Sequence, residues 1–154
     1  MKNNIEFQFK KPEDSPGFLL AQVTMLWQRD QKRVLDPLNL TRTQFVLMSS
    51  LAWLSRENSV VTQVDIANIS NADRMMVSKV LRTLEDKKFI VRYEHPTDTR
   101  AKVIKLTNKG EEVLQKAIVK IENTDLEFFS AINTNLKDFN NNMIKLISIN
   151  KCHY

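Results

Sequence analysis

The chain has 154 residues, enough for one domain with helical extensions but too few for a second full catalytic domain. Hydrophobic residues make up 42% and charged residues 27%, a globular mix that excludes wholesale disorder and a coiled-coil rod. The net charge of +5 suits nucleic acid or another anionic surface, and it is concentrated: residues 71–105 carry nine Lys/Arg against five Asp/Glu.

Residues 1–11 mix Lys, Asn, Gln and Phe without period and are expected to form a loosely docked arm. They lack the apolar stretch of a signal peptide, and no run approaches the ~20 apolar residues that span a bilayer, so no membrane partner is expected. The single cysteine, Cys152, has no internal disulfide partner, and a cytoplasmic location is expected. Ser15-Pro16 places a capping hydroxyl before a proline at the first helical position. Leu19, Leu20, Val23, Leu26, Trp27 and Val34 then recur at helical spacing to about Asp36, before Pro37. Thr41-Arg-Thr-Gln44 has the form of a capping box, and Phe45, Met48, Leu51, Ala52 and Ser55 share one side of a helix running to about Arg56. A second box, Thr62-Gln-Val-Asp65, opens a short helix that Ser70-Asn71-Ala72 breaks.

From Asp73, apolar Val77, Val80, Leu81 and Leu84 fall at i, i+3, i+4 and i+7, with Arg74, Ser78, Lys79 and Arg82 on other faces. Two short helices joined by a tight turn, the second with a polar outer side, are the pattern of a helix-turn-helix. Two β-rich runs, 89–94 and 101–106, flank His95-Pro-Thr-Asp-Thr-Arg100 and predict a hairpin with a charged tip. A hairpin directly after a helix-turn-helix is the wing of a winged helix. Thr107 can cap a long helix whose apolar side includes Val113, Leu114, Ala117, Ile118, Ile121, Leu126, Phe128 and Phe129. Leu136, Phe139, Met143, Leu146 and Ile147 form a last helical stripe. The predicted fold is mainly α with a small β-hairpin wing.

The order of elements and the segments Leu84-Glu-Asp-Lys-Lys-Phe-Ile-Val-Arg92, Asp98-Thr-Arg100 and Lys105-Leu-Thr-Asn-Lys-Gly110 resemble the MarR-type (multiple antibiotic resistance) regulators, over roughly residues 16–147. In that family these segments end the recognition helix, tip the wing and start the next helix. The resemblance implies a single MarR-like domain over 1–154. Its winged-helix lobe would span about 37–107, with dimerisation helices at about 15–36 and 108–150. It further implies a homodimer reading a pseudo-palindromic operator in double-stranded DNA, with a repressor's sign and a small-molecule effector. Two departures stand out. Lys88 occupies the place where the family usually has glycine, and a non-glycine residue in a left-handed cap costs about 1 kcal/mol. Met75-Met76 replace small or hydroxylated residues, so base contacts are not carried over at those two positions.

Candidate DNA-contacting residues follow. Arg74, Ser78, Lys79 and Arg82 could touch bases or phosphates, against the bland reading of a solvated helix face. Arg100 could enter a narrow minor groove with Thr97 and Asp98 shaping the loop, against a surface ion pair of small worth. Thr62 and Gln63 could meet phosphate at a helix start, although capping explains Thr62 almost as well. Met25, Trp27 and Trp53 are candidates for an effector pocket, where the resemblance places ligands; aromatics at helical spacing are more often core.

Catalysis is not expected. Gly17 and Gly110 are the two glycines, so phosphate-cradling loops are absent, and no Cys/His spacing defines a metal site; no cofactor is expected. Cys152 with His153 reads as inert, and His95 as a wing residue. The rival of another class is a winged-helix module that binds protein, which loss of the basic helix face would have favoured.

Overall fold

The computed structural model describes residues 5–98 and 101–151. The chain divides into two compact units after Ile121. The first unit contains helix α1 (Pro16–Leu35), α2 (Arg42–Leu54), α3 (Gln63–Ser70) and α4 (Arg74–Asp86), the hairpin β1 (Ile90–Glu94) and β2 (Lys102–Leu106), and the start of α5 (Asn108–Phe128). No helix among the described residues is long and apolar enough to cross a membrane.

Helices α1 to α4 start where the sequence offers a cap. The Ser15 hydroxyl accepts the Phe18 N–H at 3.3 Å with Pro16 in the first turn of α1. At α2 the Thr41 hydroxyl accepts the Gln44 N–H (3.2 Å) and the Gln44 amide oxygen accepts the Thr41 N–H (3.1 Å). Thr62 and Asp65 close the same reciprocal box on α3. Helix α2 stops at Leu54, slightly short of the expected Arg56.

A chain with two glycines must end its helices with other residues. Left-handed φ angles fall on Asn39 (54°), Asn71 (51°) and Lys88 (61°). Asparagine enters this region more readily than most side chains; lysine does not. At Lys88 the geometry is a Schellman closure: Lys88 N–H donates to the Glu85 carbonyl at 2.8 Å and Phe89 N–H to the Leu84 carbonyl at 3.0 Å. The glycine-type geometry is thus kept without the glycine.

The core joins Leu35, Leu47, Met48, Leu51, Ile66, Val77, Leu81, Leu84, Ile90, Ile104, Leu114, Ala117 and Ile121, most of them at the apolar positions of the helical and strand patterns. The hairpin pairs antiparallel with Ile90 opposite Leu106 and Glu94 opposite Lys102. It is anchored to the loop before α3, where the Ile104 N–H donates to the Val61 carbonyl at 2.9 Å. Thr107 ties the wing to α5: its hydroxyl donates to the Lys88 carbonyl (2.7 Å) and accepts the Gly110 N–H (3.0 Å). A Cβ on Gly110 would stand 2.0 Å from the Phe89 carbonyl oxygen, so that turn of α5 rests directly on backbone.

The second unit holds the end of α5, a 3-10 stretch Phe129–Asn135 and α6 (Leu136–Lys151). Phe129 packs edge-on against Phe128 and tilted against Phe139, with ring centroids 5.1 and 5.8 Å apart. The helical pattern breaks at Ile132, whose φ of −117° lies outside the helical range.

Candidate nucleic-acid interface

Helix α4 sets its own faces. At about 100° per residue, Val77, Leu81 and Leu84 define one buried arc, and all three are core residues. The opposite arc carries Met75, Lys79 and Arg82, all exposed, and Arg74, on the side of Leu81 by the wheel, is exposed as the first residue of the helix. Ser78 lies nearer the arc's edge and is half-buried. Among the described residues none of Arg74, Lys79 and Arg82 forms an ion pair, whereas Arg92 is committed to Glu85 and Lys102 to Glu94.

The start of α4 is closed by its own cap. One Asp73 carboxylate oxygen accepts the N–H groups of Met75 and Met76, each at 2.9 Å. A fixed negative charge there offsets the positive helix end and disfavours phosphate at that point. The Gln63 amide donates to the Arg74 carbonyl at 3.4 Å, bringing the starts of α3 and α4 together. Thr62 is a cap residue: its hydroxyl donates to Asp65 at 2.7 Å.

A polar network fixes the other end of α4. The buried Gln44 amide donates to the Thr83 hydroxyl (3.2 Å), and its oxygen accepts the Lys87 ammonium (3.0 Å). Lys87 also donates to the Asn39 carbonyl at 2.7 Å. At the α1–α2 junction, Arg42 donates to the buried Gln31 (3.1 Å) and stacks over Trp27, 4.9 Å from the ring centroid. The sequence shows Gln44 as a capping residue; the pattern could not reveal its contacts with Thr83 and Lys87, some forty positions away. The Arg92 guanidinium, hydrogen-bonded to Glu85, holds the Glu85 carboxyl below the usual carboxylate range.

In the wing loop the His95 ring nitrogen Nδ1 accepts the N–H groups of Thr97 (3.3 Å) and Asp98 (3.2 Å), so this histidine shapes the turn. Thr97 and Asp98 are exposed; Arg100 lies outside the described residues, as do Cys152 and His153. Met25 and Trp53 are 68% and 62% exposed, and Trp27 is half-buried against Arg42, so they form no common core. None of the three lines the groove between the end of α2, β2 and α5. That groove, about 580 Å³, runs past Arg56, Lys105, Glu111 and Ile118.

The ArnR1-like winged-helix domain matches residues 36–125, well over half of the chain. The chain belongs to the ArnR1-like winged-helix family. It is also 42% identical over 124 residues to the uncharacterized HTH-type transcriptional regulator YdcH of Bacillus subtilis (strain 168), covering 80% of this chain and 84% of that protein. This ArnR1-like chain is therefore a helix-turn-helix transcriptional regulator by kinship. Its fold is that of the MarR-type regulators. The S. aureus MepR–DNA complex superposes with a TM-score of 0.79 at 24% identity, covering 87% of this chain and 97% of MepR. The repressor CouR, bound to a 23-mer duplex, gives 0.79 at 22% identity, covering 94% and 99%. CouR from Rhodococcus jostii RHA1 has also been solved with p-coumaroyl-CoA.

Proposed function

We propose that the chain is a homodimeric repressor that lays α4 in the major groove of duplex DNA and the wing against the adjacent minor groove. The observation that carries this reading is the outward side of α4, where Lys79 and Arg82 stand exposed opposite the core and Arg74 is exposed at the helix start, on a helix braced by Gln44 and Lys87. Ser78 joins them at the arc's edge, and Gln63 and Thr62 approach the backbone at the start of α3. Thr97, Asp98 and Arg100 belong to the wing contact, with Arg100 the minor-groove residue. That MepR and CouR, which share this fold, have been solved bound to DNA supports a DNA-binding role.

The homodimer reading is supported by apolar side chains that each unit leaves exposed: Phe18, Leu19, Leu20 and Leu26 on α1, and Ile144, Leu146 and Ile147 on α6. Two half-sites about one helical turn apart (~34–36 Å) then meet two copies of α4. A small-molecule effector that alters lobe spacing releases the operator, because both halves no longer fit together. The regulator acts on DNA in the cytoplasm and catalyses no reaction.

The experiment is a salt series on an operator selected from random duplexes. Log affinity falls steeply and linearly with log salt, with a slope of about −0.9 per phosphate neutralised. Salt-independent binding, or none, overturns the proposal. Wild-type affinity in both Arg82→Ala and Arg100→Ala overturns the site assignment.

A further inference from the structure

Met75 lies on the face of α4 turned away from the buried arc. On the helical wheel it lies about 120–180° from Val77, Leu81 and Leu84, between Arg82 on one side and Lys79 on the other. It is 82% exposed, the highest exposure among the large hydrophobic side chains of the described residues. It also sits in the first turn of the helix, the part of a recognition helix that contacts base edges.

Its surroundings separate base contact from phosphate contact. The Asp73 carboxylate closes the helix start, which turns phosphate away from that end. Arg82 and Lys79, one to two turns further along the same arc, are the cations available for the backbone on either side. The side chain left pointing at the groove floor is an unbranched, polarizable thioether without a hydrogen-bond donor. The major groove offers one apolar feature to such a group, the C5-methyl of thymine.

We propose that Met75 is a specificity-determining residue that packs against the C5-methyl group of a thymine in each half-site. This rests on the reading of α4 as the major-groove helix, and the test keeps the two apart. The operator is first selected with the wild-type chain, and each thymine is then replaced in turn by deoxyuridine, which removes the methyl group and leaves the base-pairing edge unchanged. At one symmetry-related thymine near the start of α4, the replacement lowers wild-type affinity about fourfold per half-site, the equivalent of one buried methyl group.

Met75→Ala binds the thymine operator more weakly and no longer distinguishes it from the deoxyuridine form. Met75→Leu, which keeps an apolar side chain, retains the preference. Wild-type binding indifferent to every thymine methyl overturns the inference, as does a Met75→Ala variant with the full deoxyuridine penalty. Either result leaves salt-dependent operator binding standing. A chain that binds no duplex at any salt overturns the underlying reading as well.

Discussion

Replacing Gly110 by alanine tests how the wing is joined to α5. The added Cβ would lie 2.0 Å from the Phe89 carbonyl oxygen, 2.8 Å from its carbon and 3.2 Å from its Cα. Ordinary contact between such atoms begins near 3.4 Å, so the first turn of α5 must retreat by more than about 1 Å. The atoms it meets are main chain and cannot rotate away, because the same Phe89 carbonyl accepts the Thr107 N–H at 3.0 Å. Retreat also stretches the bonds from Thr107 to Lys88 and from Gly110 to Thr107. Overpacking costs about 1–3 kcal/mol and each weakened hydrogen bond about 1 kcal/mol, so a loss of about 3 kcal/mol is expected. For a chain of this size that lowers the melting midpoint by roughly 6–12 °C. Urea unfolding followed by circular dichroism, at one fixed protein concentration, measures it. Gly17→Ala is the control: nothing lies within 4 Å of its Cβ position in α1, and a gain of about 0.5 kcal/mol is expected. If Gly110→Ala is no less stable than Gly17→Ala, the close-approach reasoning is refuted.

Lys88→Gly relieves a left-handed residue at φ 61° and should raise stability by about 0.5 kcal/mol, after the greater freedom of glycine in the unfolded chain is subtracted; a lower melting midpoint contradicts this. Gln44→Leu removes the partners of Thr41, Thr83 and Lys87 together and should cost about 2–3 kcal/mol, read as a lower urea midpoint at unchanged slope. Stability equal to wild type would mean that the network contributes nothing. Glu85→Gln tests the Arg92 pair, whose side chains are 40% and 23% exposed and whose worth is under about 1 kcal/mol. Because the folded carboxyl titrates below its ordinary 4.5, its contribution is present above that pH and is lost as pH falls through the folded value. The gap between wild type and variant should therefore be visible at neutral pH and close in acid; a gap that widens in acid reverses the sign argument.

The starts of α1 to α4 were legible because a cap is a local event. Ser15, Thr41 and Thr62 each bond a backbone N–H three residues on, a distance that spacing alone reports, and Asp73 caps α4 in the same local way. The outward arc of α4 was legible for the same reason, since 3.6-residue periodicity separates Lys79 and Arg82 from Val77, Leu81 and Leu84 without knowledge of the partner. The surroundings of Met25, Trp27 and Trp53 show the limit of that method. Periodicity groups Met25, Trp27 and Trp53 as apolar helix residues, yet the fold leaves two of them facing outward and stacks the third on Arg42.

What the chain's own pattern determined, then, is the helix-turn-helix, its basic side and the wing, all built from contacts between residues close in sequence. The tertiary structure alone decided which polar groups brace that reader. Gln44 meets Thr83 and Lys87 across about forty residues, and Gly110 meets the backbone of Phe89. Such contacts depend on how two elements approach in space, and residue identity and local spacing carry no record of that distance.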